Sequence, residues 1–322
     1  MSTSSPLDTG HRPFRAAIAD RIQARTEALA GSARHLLAAS GKGVRPLVLR
    51  LVGDAFGRSG DPHDTLAEAI EFVHVGSLIH DDILDGADTR RGVSAVHVAY
   101  GAKVAVLAGD YLLSQANHRV AAMGDPYLTL RLSEMIADLC EGELLQDEQA
   151  RRLDLSTEDY LERIAKKTAG PFELACEGAA ILSRATKRQA AGARRFGFHM
   201  GRLFQLVDDL LDWHMDEAAL GKPAGQDLVN GVVTLPVLVA LAHADTGREL
   251  RAALTPYPTA LTPHVKALVM APGPWNETRA LVAAEAERAR QWLLEFPAGA
   301  PRAELVTMLD ALVARAGLEG DR

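Results

Sequence analysis

The sequence predicts an all-α protein. Apolar residues recur at intervals of three and four along most of the chain, which is the spacing of amphipathic helices. No alternating strand pattern persists, and the one β-branched cluster, residues 232–234, is cut off by Pro236. The 322 residues, 48% of them hydrophobic, suffice for one large core. We expect a disordered N-terminus over residues 1–10 and a single domain, a bundle of about ten or more helices, over residues 11–322.

The first helices are predicted from apolar spacing and from residues that begin or end helices. Apolar residues over 14–29 predict an amphipathic helix that ends at Gly31. Pro46 is favourable in a first turn and begins a second helix, which continues over 47–56. A third helix is expected from about residue 64 to residue 86.

Longer helices are predicted in the middle of the chain. Two of them, near 94–123 and 126–149, are divided by a Gly-Asp-Pro sequence. Residues 156–159 have the spacing of a capping box, with Asp in place of the preferred Glu, and open a short helix that breaks around 170–171. A further helix covers roughly 187–215. After a glycine-rich loop, helical stretches alternate with proline-containing turns to the C-terminus.

Composition excludes several classes of function. The chain has 35 basic and 42 acidic residues, a net charge of −7 and no run of Lys or Arg, so nucleic acids and anionic membranes are not expected as partners. Its two cysteines, Cys140 and Cys176, lie in stretches predicted to be helical and are interpreted as ordinary buried thiols. The start of the chain lacks a signal-peptide core, and no stretch approaches ~18 uninterrupted apolar residues. We expect a soluble protein of the reducing cytoplasm with no transmembrane segment.

Two short acidic motifs stand out in the sequence. DDILD at 81–85 and DDLLD at 208–212 both have the form DDxxD. At about 100° per residue, the first and last aspartates of each motif share a helix face, where like charges repel. A single motif of this kind is more often a solvated helix face. Here both motifs follow strongly apolar segments, 73–80 and 201–207, which indicates that the acids emerge from the core side of a bundle and need a counter-charge.

The aspartates of both motifs are candidate metal ligands. Hard carboxylate oxygens in this number suit Mg²⁺, which takes one or two carboxylates and completes its shell with water and substrate phosphate. The candidates are Asp81, Asp82, Asp85, Asp208, Asp209 and Asp212. Two such clusters could hold several ions around a diphosphate.

Basic residues form a second candidate set. Lys42 and Arg45 lie in a glycine-flanked loop that enters a helix, where cationic side chains and backbone N–H groups can receive an anion. Taken alone, such a loop is more often a structural helix cap. His74 precedes Asp81 by seven residues and shares its helix face, which favours a site over a buried core histidine. Together with the arginines at 90–91, these residues suggest two anionic substrates, one held through metal and one held directly.

In this order the motifs resemble those of the trans-polyprenyl diphosphate synthases. They read GKGVRP, EFVHVGSLIHDDILD, RRG, KTAGPF, FQLVDDLLD, GKPAGQDL and TLP, between about residues 40 and 240. The resemblance implies an all-α prenyl synthase fold with a central active-site cavity, usually in a homodimer. It also implies a Mg²⁺-dependent transferase of isoprenoid biosynthesis, which condenses isopentenyl diphosphate head-to-tail with an allylic diphosphate and releases diphosphate.

The resemblance further implies roles for individual residues. Mg²⁺, about three ions per active site, would bridge the allylic diphosphate to Asp81, Asp85 and Asp208, with Asp82, Asp209 and Asp212 completing the clusters. The same diphosphate would contact Arg90, Lys167 and Lys222. Isopentenyl diphosphate would bind Lys42, Arg45, His74 and Arg91. The candidate catalytic residues are Lys167 with Thr168 and Gln205, the last two facing the developing carbocation.

Two positions depart from the usual family motifs, and two others bear on product length. Gly43 stands where the family usually has Arg, and Val232 where it often has a Lys that reaches the allylic diphosphate. Gly76 and Ser77 precede the first acidic motif by five and four residues, where short-chain members carry an aromatic ring that blocks the product tunnel. The small pair favours a geranylgeranyl or longer product, although close helix packing would also explain Gly76.

Two other functions would use some of these residues. A class I terpene cyclase ionises an allylic diphosphate with an Asp-rich helix and Mg²⁺, but it needs neither a second DDxxD motif nor the set of Lys42, Arg45 and His74. A non-catalytic subunit of a heteromeric synthase is the other alternative, although such subunits typically lack one or both acidic motifs. Product formation from isopentenyl diphosphate discriminates among the three.

Overall fold

The fold is helical almost throughout, as predicted. A computed structural model of the chain describes residues 12–22, 24–39, 41, 43–214 and 224–318. The first ten helices are α1 (Arg12–Asp20), α2 (Glu27–Ala38), α3 (Val44–Ala55), α4 (Asp61–Leu84), α5 (Val96–Tyr100), α6 (Ala102–Ala122), α7 (Pro126–Glu148), α8 (Thr157–Ile164), α9 (Gly170–Leu182) and α10 (Lys187–His214). The others are α11 (Gln226–Val229), α12 (Leu235–Ala242), α13 (Gly247–Ala253), α14 (Pro263–Val269), α15 (Pro272–Leu293) and α16 (Ala300–Arg315). A π-helix spans Ala165–Ala169, and strands β1 (Thr89–Arg90) and β2 (Val93–Ser94) form a short antiparallel pair.

The chain divides into two compact units. The first unit comprises Met1–Ala137, Pro171–Arg194 and Leu293–Met308, and the second comprises Asp138–Gly170, Arg195–Trp292 and Leu309–Arg322. Residues 1–10, predicted to be disordered, lie outside the described residues. The extent of a single domain over 11–322 stays a prediction. In the part of the chain that the structure describes, no helix has the length and hydropathy needed to cross a membrane.

Helices α4 and α6 pack closely in the first unit because glycines remove side chains between them. A Cβ atom added to Gly76 would lie 3.2 Å from the carbonyl oxygen of Gly109, and one added to Gly109 would overlap with the ring of His80. His80 Nε2 is 3.1 Å from the carbonyl oxygen of Val106, again on α6. This contact fixes the C-terminal half of α4, which carries the first acidic motif.

The second unit has the expected capping box and an unexpected π-helix. Ser156 and Asp159 exchange the two hydrogen bonds of the box and begin α8, as predicted. The predicted break around 170–171 is wrong, because the helix is not interrupted there. α8 is followed directly by the π-helix, and α9 begins at Gly170. A Cβ atom added to Gly142 of α7 would lie 2.8 Å from the backbone nitrogen of Lys167, so the π-helix packs against α7.

Three other local predictions are wrong. The helix expected to end at Gly31 is two helices, α1 and α2, and Gly31 lies within α2, where an added Cβ would lie 3.5 Å from Tyr100 Oη. The helix expected over 94–123 is divided into α5 and α6 by Gly101, whose φ of 85° is incompatible with an α-helix. Cys140 is exposed on α7, whereas Cys176 is buried as predicted.

Candidate active site

The first acidic motif places its carboxylates in different environments at the end of α4. Asp82 is fully buried, whereas Asp81 is half-buried and Asp85 is exposed. Arg90 Nε donates a hydrogen bond to Asp82 Oδ1 at 2.5 Å. Burial raises the pKa of Asp82, and the hydrogen bond and charge of Arg90 oppose that rise. The first and last aspartates of the motif therefore remain accessible to solvent, while the second is anchored inside the protein.

The three predicted basic residues that the structure describes come together in the first unit. His74 Nε2 lies 3.0 Å from Arg91 Nη2 and 3.4 Å from Arg45 Nη1. A guanidinium can only donate, so this nitrogen of His74 accepts and the ring proton resides on Nδ1. Arg45 also lies over the ring of Phe172, 4.9 Å from its centroid. Lys42, the fourth residue of the predicted set, lies outside the described residues.

A tight turn directs two neighbouring arginines to different partners. Arg90 lies on β1, and the turn to β2 contains Arg91 and Gly92 with φ of 54° and 79°. Arg90 reaches Asp82, which the sequence assigned to the metal cluster, whereas Arg91 reaches His74. The left-handed backbone at Arg91 is uncommon for a residue with a Cβ, and it supports the divergence of the two side chains.

The second acidic motif repeats the pattern of the first. Asp209 is buried, Asp208 is exposed and Asp212 is half-buried. Asp209 accepts hydrogen bonds from Tyr160 Oη at 2.5 Å and Gln205 Nε2 at 2.7 Å. Burial raises the pKa of Asp209 to about 7, against the two hydrogen bonds. In both motifs, therefore, the second aspartate is buried and hydrogen-bonded inside the protein, whereas the first aspartate is more exposed.

Sequence reasoning missed three residues around Asp209. Asp227 is half-buried, and its backbone N–H donates to Asp212 Oδ2 at 3.4 Å. Burial, followed by the charges of the second motif, raises the pKa of Asp227 to about 8. Tyr160 and Arg163 are buried nearby on α8. Asp227 is the acid of the quoted GKPAGQDL motif, which was a usable signal, whereas nothing local in the sequence marks Tyr160 or Arg163.

The π-helix carries two of the predicted catalytic residues. Thr168 Oγ1 donates a hydrogen bond to Gln205 Oε1 at 3.0 Å, so these two predicted residues are in contact. Lys167 Nζ forms an ion pair with Glu143 at 2.6 Å and a hydrogen bond with Gln146 at 3.2 Å. Lys222, predicted to bind the same diphosphate as Lys167, lies outside the described residues.

The carboxylates fit magnesium in type but are not gathered into a ready-made site. Among the residues that the structure describes, no three His, Cys, Asp or Glu side chains converge closely enough to hold a metal ion. Mg²⁺ commonly binds through one or two carboxylates and keeps several waters, so it does not require such a cage. Asp81 and Asp85 in the first unit, and Asp208 in the second, are accessible carboxylates of this type.

The two candidate residues for product length have different surroundings. Gly76 is buried against α6, and an added Cβ would also lie 3.4 Å from Leu112 Cβ. Close helix packing therefore explains why this residue is glycine. Ser77 is half-buried, and its hydroxyl donates to the carbonyl oxygen of His74 at 3.0 Å. Ser77 is the better position at which to change the volume beside α4.

A separate cavity of about 350 Å³ lies at the other end of α4. Arg58, His63, Leu182 and Arg184 are among the residues that line it, and no predicted site residue does. His63 is buried, and its Nε2 lies 3.2 Å from the carbonyl oxygen of Ala179. Burial lowers the pKa of His63. This cavity is distinct from the acidic and basic clusters described above.

Comparisons with known proteins identify the family. The family model described as polyprenyl synthetase matches residues 26–269. The chain belongs to the polyprenyl synthetase family. A prenyl transferase from Synechocystis is 35% identical over 321 residues, which cover 98% of this chain and 99% of that protein. The predicted family and the assignment to the transferases are thereby confirmed.

Two further similar proteins differ in the products that their names give. A short chain isoprenyl diphosphate synthase from Methanothermobacter thermautotrophicus is 41% identical over 224 residues, 68% of each chain. The crystal structure of a decaprenyl diphosphate synthase from Rhodobacter capsulatus has a TM-score of 0.86 and 30% identity, and covers 94% of this chain and 95% of that one. The all-α prenyl synthase fold is confirmed, and the product length of this polyprenyl synthetase is left undefined.

Proposed function

We propose that this polyprenyl synthetase condenses isopentenyl diphosphate head-to-tail with an allylic diphosphate, giving a trans-polyprenyl diphosphate of geranylgeranyl length or longer. The cluster of Arg45, His74 and Arg91 carries the proposal. Guanidinium groups bind phosphate oxygens directly, whereas carboxylates repel a bare diphosphate and need a cation between them. The basic and acidic sets therefore suit two anionic substrates. A terpene cyclase acts on one diphosphate and has no use for the basic cluster.

Magnesium is the proposed cofactor. Its proposed ligands are Asp81, Asp85 and Asp208, with Asp82, Asp209 and Asp212 completing the clusters. When bound, Mg²⁺ neutralises the charge that develops on the diphosphate as the allylic C–O bond breaks. Arg90 and Tyr160 hold the second aspartate of each motif inside the protein, which leaves Asp81, Asp85 and Asp208 as the accessible carboxylates.

Cationic side chains of the enzyme would complete the binding of both substrates. Arg90, Lys167 and Lys222 are the proposed contacts to the allylic diphosphate, and Lys42 joins the basic cluster for isopentenyl diphosphate. Lys167 is paired with Glu143, so binding would exchange one anionic partner for another. His74, as a neutral acceptor, holds the guanidinium groups of Arg45 and Arg91 toward a common ligand.

The reaction itself needs no protein nucleophile. Ionisation of the allylic diphosphate leaves a cation that the double bond of isopentenyl diphosphate attacks, and the released diphosphate can take the proton that is then lost. The oxygens of Thr168 and Gln205 are the proposed groups that stabilise the cation electrostatically.

Two departures from the family bear on substrate affinity rather than on the chemistry of the reaction. Gly43 has φ of 56°, a conformation that favours glycine, and Val232 donates its N–H to the carbonyl oxygen of Asp227 at 2.8 Å.

The proposed assembly is a homodimer, and the proposed location is the cytoplasm. Three large apolar side chains on α6 and α7, those of Val106, Leu107 and Leu130, are exposed in the first unit. In the proposed homodimer these side chains would be buried against a second copy.

The function is tested by product analysis. The purified protein is incubated with Mg²⁺, isopentenyl diphosphate and a series of allylic primers, and the products are sized by mass spectrometry. Condensation gives diphosphates that grow in five-carbon steps, which is the expected result. Hydrocarbon released without isopentenyl diphosphate would favour a cyclase, and a lack of any product would favour a non-catalytic subunit.

A further inference from the structure

We propose that Tyr160 is a positioning residue that sets the direction of the Gln205 amide and, through it, of the Thr168 hydroxyl. The proposal rests on the function proposed above, in which Thr168 and Gln205 face the developing cation. Three consecutive hydrogen bonds carry it. They run from Tyr160 Oη to Asp209 Oδ2 at 2.5 Å, from Gln205 Nε2 to Asp209 Oδ1 at 2.7 Å, and from Thr168 Oγ1 to Gln205 Oε1 at 3.0 Å.

The polarity of this chain of bonds is determined at the Tyr160 end. The phenol donates to one oxygen of Asp209, and the other oxygen accepts from the amide nitrogen of Gln205. With its nitrogen turned to Asp209, the amide must present its oxygen to Thr168. Thr168 then donates its single hydroxyl proton to that oxygen. The lone pairs of Thr168 Oγ1 and Gln205 Oε1 therefore remain available to a cation. A flipped amide would instead present its N–H groups, whose dipole has the opposite direction.

Tyr160 is well placed to hold this arrangement because it cannot easily move. Its side chain is fully buried on α8, and the Arg163 guanidinium lies over its ring, 5.4 Å from the centroid. Arg163 is fixed in turn by hydrogen bonds to Gln149 Oε1 at 2.9 Å and to the carbonyl oxygen of Val233 at 2.8 Å. Removing the phenol oxygen alone would leave this packing intact and deprive Asp209 of one of its two donors.

Tyr160→Phe is the test variant, assayed with Mg²⁺, isopentenyl diphosphate and an allylic primer. The substrates are held by other residues, so both KM values should stay within about twofold of the parent while kcat falls about tenfold. Tyr127→Phe is the matched control, because Tyr127 also donates to a buried carboxylate, Glu177, at 2.6 Å, in the other unit. The control should keep the parent kcat.

Two further measurements separate positioning from a general structural role. If Tyr160 acts through Gln205, the double variant Tyr160→Phe/Gln205→Leu should have the same kcat as Gln205→Leu alone, whereas multiplied losses would overturn the proposal. Calorimetric binding of Mg²⁺ with inorganic diphosphate should be unchanged in Tyr160→Phe. Weakened binding would show that Tyr160 acts through the metal site instead and would also overturn it.

A second variant tests the far end of the chain of bonds. Thr168→Ser keeps the hydroxyl and should retain most of the kcat, whereas Thr168→Val should lose about as much as Tyr160→Phe. If Tyr160→Phe has a lowered Tm, the two Thr168 variants test the same chain of hydrogen bonds without changing the buried phenol. Equal kcat values for Thr168→Ser and Thr168→Val would overturn the proposal.

A parent protein without condensation activity overturns the proposed function, whereas an active parent with an equally active Tyr160→Phe overturns this inference alone.

Discussion

Individual aspartates within each DDxxD motif have different tasks. Asp82 and Asp209 are buried and already hydrogen-bonded, to Arg90 and to Tyr160 with Gln205, while the first aspartate of each motif is open to solvent. These bonds occupy both oxygens of Asp209 and one oxygen of Asp82, so the accessible aspartates are the stronger candidates for direct contact with a hydrated ion. The accessible carboxylates are therefore the ones whose loss should stop the reaction.

Asp81→Ala or Asp208→Ala should lower turnover by at least about a hundredfold, because each removes a proposed metal ligand. Circular dichroism should show unchanged helix content, since neither side chain is buried in the core. Asp61→Asn is the control, an exposed aspartate at the other end of α4. Wild-type rates in either alanine variant at saturating Mg²⁺ would exclude the metal assignment.

Pairs of helices in this fold are held by contacts of two kinds. α4 and α6 meet through glycines and backbone, so added volume cannot be accommodated there. α10 and α15 meet through charged side chains in the second unit, where the buried Glu285 of α15 accepts from His199 at 2.9 Å and forms an ion pair with Arg202 at 3.1 Å. The first contact is sensitive to size, and the second to the protonation of Glu285.

The glycine contact changes the choice of variant for product length. Gly76→Phe should destabilise the fold by at least about 2 kcal/mol, because its Cβ alone would lie 3.2 Å from the carbonyl oxygen of Gly109 and leave no room for a ring. The reduced stability should be visible in urea titration. Ser77→Phe should fold and give shorter products from the same primer, measured by mass. Ser77→Ala is its control and should keep the parent distribution. An active Ser77→Phe with unchanged products would remove this wall as the length determinant.

The charge cluster predicts a specific dependence of stability on pH. Burial alone would raise the pKa of Glu285, but His199, Arg202 and Arg288 bring it below the ordinary 4.5. The unfolded chain therefore takes up this proton at a higher pH than the folded protein. The stabilisation is complete above about pH 4.5 and is lost as the pH falls through the lower folded pKa.

Glu285→Gln should reduce the free energy of unfolding by about 2 kcal/mol at pH 7, because the neighbouring cations lose their buried counter-charge. The difference from the parent should shrink below pH 4.5, as followed by urea denaturation at several pH values. Glu287→Gln, an exposed acid on the same helix, should change stability little at any pH. A difference that is constant from pH 7 to pH 3 would contradict the account.

For the whole molecule, the sequence predicted what depends on residue type and spacing and missed what depends on partners distant in the chain. The helical fold was predicted because residue spacing indicates it. The resemblance assigned Thr168 and Gln205 to one site, but their hydrogen bond to each other is a finding of the structure. Tyr160 lies 49 residues before the aspartate that it binds, and no local pattern joins them. Gly31 was interpreted as a helix end because glycine often ends helices. Its contact with Tyr100, which belongs to a separate helix, is not visible in the local sequence. These predictions failed because they depended on tertiary contacts that the local sequence does not show.

The assembly can be tested at the exposed apolar side chains of the first unit. Leu107→Glu should convert the proposed homodimer to monomer, because a charge at the centre of an apolar interface is costly to bury. Light scattering after size-exclusion chromatography gives the mass directly. Leu294→Glu is the control, because Leu294 is also exposed and apolar but lies away from α6 in sequence. A parent protein that is already monomeric would disprove the homodimer.

The most direct test of the central claim, that this enzyme holds two diphosphates by different means, is the pair of KM values in Arg45→Ala. Arg45 and its partner His74 belong to the basic cluster, which is proposed to bind isopentenyl diphosphate without metal. The KM for isopentenyl diphosphate should rise by at least about tenfold, while that for the allylic primer stays within about twofold. Equal increases for both substrates would contradict the division between the basic and acidic clusters.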